Sequence, residues 1–189
     1  MRFLLLYGPG EREEAAAVVA RLHELGLETR LLSGDRAQAV ERVARQLGIE
    51  SVIAQASPER KLAELLELQQ QGHRLAMVGD GLNDGPVLAR ADCSFALGHG
   101  APLAQAQSDF VVQSGQLDEV VAAIVLARKT LQVVRQNLLW AAIYNLVAVP
   151  LALAGWMPPW LAGLGMAASS LLVIGNAARL ARQSGPRQA

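Results

Sequence analysis

Apolar positions follow two different patterns along the chain, and the change falls after Gln136. In the first part, short apolar runs alternate with longer stretches at helical spacing. Arg2 to Tyr7 reads as a strand closed by Gly8-Pro9-Gly10; Glu11, Glu13 and Glu14 then open a helix whose apolar face is Ala15, Val18, Val19, Leu22 and Leu25, stopped at Gly26. Glu28 to Leu32 is extended, Ser33-Gly34-Asp35 turns, and a helix through Val40, Val43 and Leu47 ends at Gly48. Ser51 to Ala54 is the next strand. Ser57-Pro58-Glu59 then supplies an N-cap, a first-turn proline and an acid for a helix that ends at Gly72. Arg74 to Val78 is a strand, followed by an acidic loop, a short helix over Pro86 to Ala91, a strand over Cys93 to Leu97, a Gly-rich turn and a strand over Asp109 to Val112. Strands alternating with helices predict an α/β domain, a mostly parallel sheet with helices on both faces.

The second pattern has no polar face. Leu117, Val120, Val121, Ile124, Leu131 and Val134 continue one helical stripe, with Arg128, Lys129 and Arg135 along the way, and from Asn137 to Ala178 there is no Asp, Glu, Lys, Arg or His. Leu138 to Met157 and Trp160 to Ala178 are each long enough, at roughly 30 Å as a helix, to cross a bilayer. Pro158-Pro159 turns between them, flanked by Trp156 and Trp160 at the depth that indoles favour. The alternative is a helical hairpin buried in a large soluble core. Basic residues lie only at the outer ends, so the positive-inside rule places both termini in the cytoplasm, in a multi-pass protein of the inner (cytoplasmic) membrane. Pro150 is expected to kink the first span.

Composition narrows the function. A formal net charge of +0 supplies no basic surface, which argues against nucleic acid as a partner. Cys93 is the single cysteine, so no internal disulfide or cysteine-rich metal site can form. Phe3 to Tyr7 is too short for a signal peptide or a span.

The candidate chemistry sits at strand ends. In Gly79-Asp80-Gly81-Leu82-Asn83-Asp84, two carboxylates four positions apart follow an apolar strand and gather hard oxygen ligands where the backbone turns, which suits magnesium. A plain polar turn is the bland reading. Ser33-Gly34-Asp35 offers a hydroxyl and backbone N–H groups near a helix N-terminus, as a phosphate site would, although Ser33 could equally be an ordinary N-cap. Lys61 lies in the first turn of its helix, where a cation opposes the macrodipole unless an anion is near; a solvated lysine is the alternative. Together these residues form a phosphoryl-transfer constellation. His23, His73 and His99 read as surface residues, Cys93 as a small buried strand residue, and Asp92 as a cap or turn former.

This constellation resembles the second, third and fourth motifs of the haloacid dehalogenase superfamily. More closely, Leu32-Ser33-Gly34-Asp35, Pro58-Glu59-Arg60-Lys61 and Met77 to Asp84 look like the hinge and phosphorylation-domain motifs of P-type ATPases. Arg135-Gln136-Asn137-Leu138, Tyr144-Asn145 and Met166-Ala167-Ala168-Ser169-Ser170 are similar to the last two membrane helices of the heavy-metal branch, particularly copper(I) exporters. The resemblance covers about Gly26 to Leu180. It implies a haloacid dehalogenase-like parallel sheet followed by an all-α two-helix transmembrane hairpin. The implied segments are a partial phosphorylation domain over 1–116, a connecting amphipathic helix over 117–136, the hairpin over 137–181 and a cytosolic tail over 182–189.

The resemblance also implies roles. Ser33, Gly34, Asp35 and Lys61 would serve phosphoryl transfer, Asp80, Gly81, Asn83 and Asp84 would bind magnesium, and ATP would be the parent enzyme's phosphoryl donor. Tyr144, Asn145, Met166 and Ser169 would contact a transported copper(I) or other heavy-metal ion. A thioether suits soft copper(I), and a polar pair inside a span is costly, but Met also fills cores and Asn and Ser also join helices. The pattern departs from the family elsewhere. No Asp-Lys-Thr-Gly occurs, the first strand runs into Gly8-Pro9-Gly10 where the nucleophilic Asp is needed, Glu11-Arg12 stands where Arg-Pro follows an Asp, and Gly98-His99-Gly100-Ala101-Pro102 replaces Gly-Thr-Gly-Thr-Asp. The expectation is therefore a C-terminal part of the transporter, inactive alone and partnered by the missing N-terminal half. The alternatives are a membrane-anchored regulatory or assembly module without catalysis, and a membrane-tethered phosphatase of the haloacid dehalogenase type.

Overall fold

The computed structural model describes residues 2–5, 12–79, 84–98 and 102–183, and the chain divides into two compact units, Met1–Ala122 and Ala123–Ala189. In the first, β1 (Arg2–Leu5), β2 (Glu28–Leu32), β3 (Ser51–Ile53), β4 (Leu75–Gly79), β5 (Cys93–Leu97) and β6 (Phe110–Val112) form one sheet in the order β3-β2-β1-β4-β5-β6. Every neighbouring pair is parallel. The connections are helical: α1 (Arg12–Glu24), α2 (Ala37–Leu47), α3 (Pro58–Gln70), α4 (Gly85–Leu88) and α5 (Pro102–Ala106). The last of these occupies part of the expected Gly-rich turn.

The central strand shows why the fold needs both helical layers. All of β4 is buried. Leu75 and Met77 pack with Leu32, Leu65, Leu68, Val87 and Leu88 in a cluster that binds α3 and α4 to the sheet, while the intervening Ala76 and Val78, pointing the other way, are equally buried. The α/β architecture expected from the pattern, a parallel sheet with connecting helices, is the one observed.

Helix ends follow the local signals. Gly48 adopts φ 70°, and the bonds Ile49 N–H to Ala44 O (2.9 Å) and Gly48 N–H to Arg45 O (3.4 Å) close α2 in a Schellman turn. The same bond pattern ends α1 at Gly26 and α3 at Gly72. At the start of α3, Ser57 Oγ accepts Arg60 N–H at 3.2 Å. That hydroxyl also interacts with the exposed Glu59 carboxyl and holds it below the ordinary carboxylate range.

In the second unit, α6 (Asp118–Leu153) passes through Pro150 and ends three residues later, and α7 runs over Pro159–Gln183. Pro150 sits in the last turn, where little helix remains to be disrupted. Both helices are long and apolar enough to cross a membrane, and their most apolar windows are not buried within the protein. The soluble alternative predicts buried faces, and Leu146 (76% exposed), Leu153 (84%), Trp156 (78%) and Trp160 (70%) contradict it. The hairpin is transmembrane in character.

Candidate functional site

β2 and β4 both lie beside β1, so their carboxyl ends are two strand spacings apart, about 10 Å. Ser33 follows the first of these strands, and Gly79, directly before Asp80, ends the second. Ser33 is buried; its N–H donates to Ile53 O at 3.0 Å, its Oγ donates to Asp35 Oδ2 at 3.1 Å and accepts Asp35 N–H at 3.2 Å. The N-cap of α2 is Arg36, with no side-chain capping bond, so Ser33 is not the cap. A different partner holds the turn: beyond β3, Gln55 N–H donates to Asp35 O (3.0 Å) and Ala56 N–H to Ser33 O (2.9 Å). Gln55 does this at φ 51°, the left-handed region that a side-chain-bearing residue adopts at a cost of about 1–3 kcal/mol.

Lys61 has the anion that its place in the helix demands. Its Nζ donates to Asp84 Oδ1 at 2.9 Å, with the two side chains only 10% and 7% exposed. Leu65 and Leu68, further along α3, pack with Val87 and Leu88 of α4, and this apolar contact fixes the separation of the charged pair. Asp84 occupies the N-cap position of α4 yet makes no capping bond; its carboxylate is turned to Lys61 instead. Asp80, Gly81 and Asn83 lie outside the described residues. Among the described residues no group of three or more His, Cys, Asp or Glu could hold a metal. Magnesium takes one or two carboxylates and fills its octahedron with water and phosphate oxygen. Asp84, buried at the mouth of β4 and using Oδ1 on lysine, fits such a site.

In the hairpin, Tyr144 and Ser169 face the seam between the helices. Trp140 Nε1 donates to Ser169 Oγ at 3.2 Å, and a Cβ placed on Gly165 would stand 3.0 Å from the Tyr144 hydroxyl. Asn145 and Met166 turn outward: Asn145 Nδ2 is bonded to Ala141 O at 2.9 Å, and Met166 is 68% exposed. The hairpin therefore sets two of the four expected ion contacts along the seam, against different neighbours, and presents the other two away from it.

The haloacid dehalogenase-like hydrolase family matches residues 6–92. The probable copper-exporting P-type ATPase V of Mycobacterium tuberculosis is 47% identical over 171 residues, 90% of this chain and 22% of that protein. The copper-exporting P-type ATPase of Staphylococcus aureus is 41% identical over 169 residues, 89% of this chain and 21% of that one. In structure, a zinc-transporting PIB-type ATPase in its E2.Pi state superposes with TM-score 0.85 at 34% identity, over 90% of this chain and 28% of the other. The chain is homologous to the C-terminal part of heavy-metal-transporting P-type ATPases. It spans about a fifth of the length of the copper-exporting relatives.

Two parts of this P-type ATPase segment escaped the sequence reading. One is the Gln55–Ala56 loop, which acts through backbone groups that carry no residue signature. The other is a pair of carboxylates that tie strand ends. Asp92 accepts Leu75 N–H (3.0 Å), Gln69 Nε2 (3.1 Å) and Arg74 Nη1 (2.6 Å). Burial of Asp92 opposes its ionisation, but these bonds prevail and hold its pKa below the ordinary value. Asp109 accepts Ser94 N–H at 2.9 Å and so stands outside β6, which the sequence had begun at this residue. His23, read as a surface residue, is exposed, and its Nε2 shares a hydrogen bond of 2.8 Å with Thr29 Oγ1.

Proposed function

We propose that this chain supplies the magnesium and phosphate side of the phosphoryl-transfer centre, and part of the membrane ion path, of an ATP-driven heavy-metal transporter whose cargo is copper(I). The observation that carries the reading is the buried Lys61–Asp84 pair at the sheet edge that also bears Ser33. An ammonium has three N–H donors, of which this pair uses one, so Lys61 is able to neutralise a phosphoryl oxygen while steadying Asp84. Ser33, held by Asp35 and the β3 exit loop, presents its hydroxyl to the same edge. Asp35 orients Ser33. Magnesium, held by Asp84 with Asp80, would supply charge neutralisation between phosphate oxygens. No Asp-Lys-Thr-Gly is present in the sequence, so the aspartyl nucleophile comes from a polypeptide outside these residues.

Tyr144, Asn145, Met166 and Ser169 form part of the ion's path on this reading, with Met166 as the soft donor and Asn145 and Met166 facing helices outside this chain. Copper over zinc rests on the thioether and on the copper-exporting relatives. The flanking cations Arg128, Lys129, Arg135 and Arg179 favour a hairpin whose two ends face the cytoplasm.

Grafting this chain onto the M. tuberculosis relative, in place of the matched C-terminal segment, tests the assignment. Incubation with labelled ATP is expected to give an acid-stable, hydroxylamine-sensitive phosphoenzyme in the graft and none on the isolated chain, with turnover stimulated by copper(I) above zinc(II). Acid-stable phosphate on the isolated chain, or a graft indifferent to copper(I), contradicts the proposal.

A further inference from the structure

Ser33 and Lys61 reach the same edge of the sheet from different elements, and one short connection joins them. β3 pairs with β2 as far as Ile53 and Leu32. Beyond that point, three consecutive residues each hold one part of the site. Gln55 N–H donates to Asp35 O at 3.0 Å, Ala56 N–H donates to Ser33 O at 2.9 Å, and Ser57 O accepts the Lys61 N–H at 3.0 Å. Ser57 also caps the helix that carries Lys61, its Oγ accepting Arg60 N–H. Asp35 turns the Ser33 hydroxyl and Asp84 the Lys61 ammonium, so side chains set the directions of the two groups while the backbone of residues 55–57 sets where they start.

Consecutive N–H groups of an extended strand point to opposite sides, so Gln55 and Ala56 could not both reach one turn if β3 simply continued. The left-handed φ of 51° at Gln55 brings the second N–H round to the partner of the first. Among the described residues, Gln55 is the one non-glycine with positive φ. Its side chain is exposed, so the position calls for a backbone conformation and not for an amide. Ala56 is buried, its carbonyl 3.6 Å from where a Cβ on Gly34 would stand, which lays the connection directly against the Ser33 turn. Strain of this kind persists where the surrounding bonds over-determine it, and here they are bonds to the site.

We propose that residues 55–57 are a positioning strap that fixes Ser33 and Lys61 relative to one another for a shared phosphoryl group, with the left-handed Gln55 as its critical residue. The inference rests on the phosphoryl-transfer function proposed for this chain. A phosphoryl oxygen met by a hydroxyl and an ammonium at once needs their separation held to about 0.5 Å. Gln55 acts through the Asp35 carbonyl, so it is a positioning residue and not a catalytic one.

The test has two readouts. In the full chain, amide hydrogen exchange by NMR should show Gln55, Ala56 and Lys61 protected, with all three released in Gln55→Val, because a β-branched residue resists positive φ. In the grafted transporter, phosphoenzyme formation from labelled inorganic phosphate with magnesium should need at least about tenfold more phosphate for half-maximal labelling in Gln55→Val. Gln55→Gly and Gln55→Asn, both at ease in the left-handed region, should keep the parent's value. Gly26→Val places the same strain at φ 73°, at the start of β2 and away from the site; it should lower the melting temperature but leave the three amides and the half-maximal phosphate unchanged. An unchanged half-maximal phosphate in Gln55→Val, an equal rise in Gly26→Val, or an equal rise in Gln55→Gly each overturns the strap, the last by assigning the role to the side chain. An unchanged value in Ser33→Ala overturns the phosphoryl-transfer function itself, and the strap with it.

Discussion

Leu65 and Leu146 are the same residue in helices of similar regularity, yet one is fully buried and the other is 76% exposed. The α/β unit hides most of its leucines and, among the described residues, leaves its charged side chains at least partly exposed, except for Lys61 and Asp84, which it buries as a pair. The hairpin does the reverse. Its apolar side chains face outward, and some of its polar ones meet each other along the seam, Asn137 with Asn176 and Trp140 with Ser169. Each unit satisfies the same two requirements, removing apolar surface from water and pairing polar groups, but the solvents differ, so burial means opposite things in the two. A buried charge in the first unit and an exposed leucine in the second are both informative for that reason.

Substitutions that treat the units alike should expose this difference. The largest effect is expected from Lys61→Met, which strands Asp84 without its partner and should destabilise the α/β unit by about 3–5 kcal/mol. Urea unfolding followed by protease sensitivity of that unit measures it. Changing both residues to apolar ones should recover much of the loss, and a double-mutant cycle with no coupling would mean that the pair is incidental. Leu65→Ala should cost about 2–5 kcal/mol by the same measurement, whereas Leu146→Ala should leave hairpin stability in lipid unchanged. Equal losses at the two leucines would place both units in one solvent.

How much of this was legible in the sequence also divides between the units. Strand ends, helix stops at Gly26, Gly48 and Gly72, and the Ser57 cap could be read because each is encoded within a few residues. The spans could be read because the absence of charge over a long stretch is unambiguous. The Lys61–Asp84 contact was only implied, as an anion that the lysine needed, because the two residues are far apart in sequence and only the packing of α3 on α4 unites them. The seam could not be read. An Asn or Ser in an apolar helix signals a contact, but not which neighbour receives it, and Tyr144-Asn145 looks like one polar unit while its members face different ways.

Smaller effects sharpen the comparison further. Asn176→Ala should weaken the hairpin by about 0.6 kcal/mol, the modest worth of one interhelical hydrogen bond in lipid, read as a change in helix-pair dissociation in detergent. The smallest effect expected is a pH dependence confined to the α/β unit. Asp92 has its folded pKa below the unfolded value, so the stability it contributes is present above the ordinary carboxylate range and is lost as pH falls from there through the folded value. Melting temperature of the α/β unit against pH should decline over that window in the parent and less steeply in Asp92→Asn, while the hairpin, whose described spans contain no carboxylate, should show no such slope.

The central claim is that the charged pair buried in the first unit belongs to a phosphoryl-transfer centre and is not a structural fastening alone. Its most direct measurement is the magnesium dependence of phosphoenzyme formation in the grafted transporter, compared between Asp84 and Asp84→Asn proteins matched for the folded fraction. A rise of at least about tenfold in the magnesium concentration for half-maximal phosphorylation is predicted for the variant. An unchanged half-maximal concentration, with the variant altered only in its melting temperature, would contradict the account.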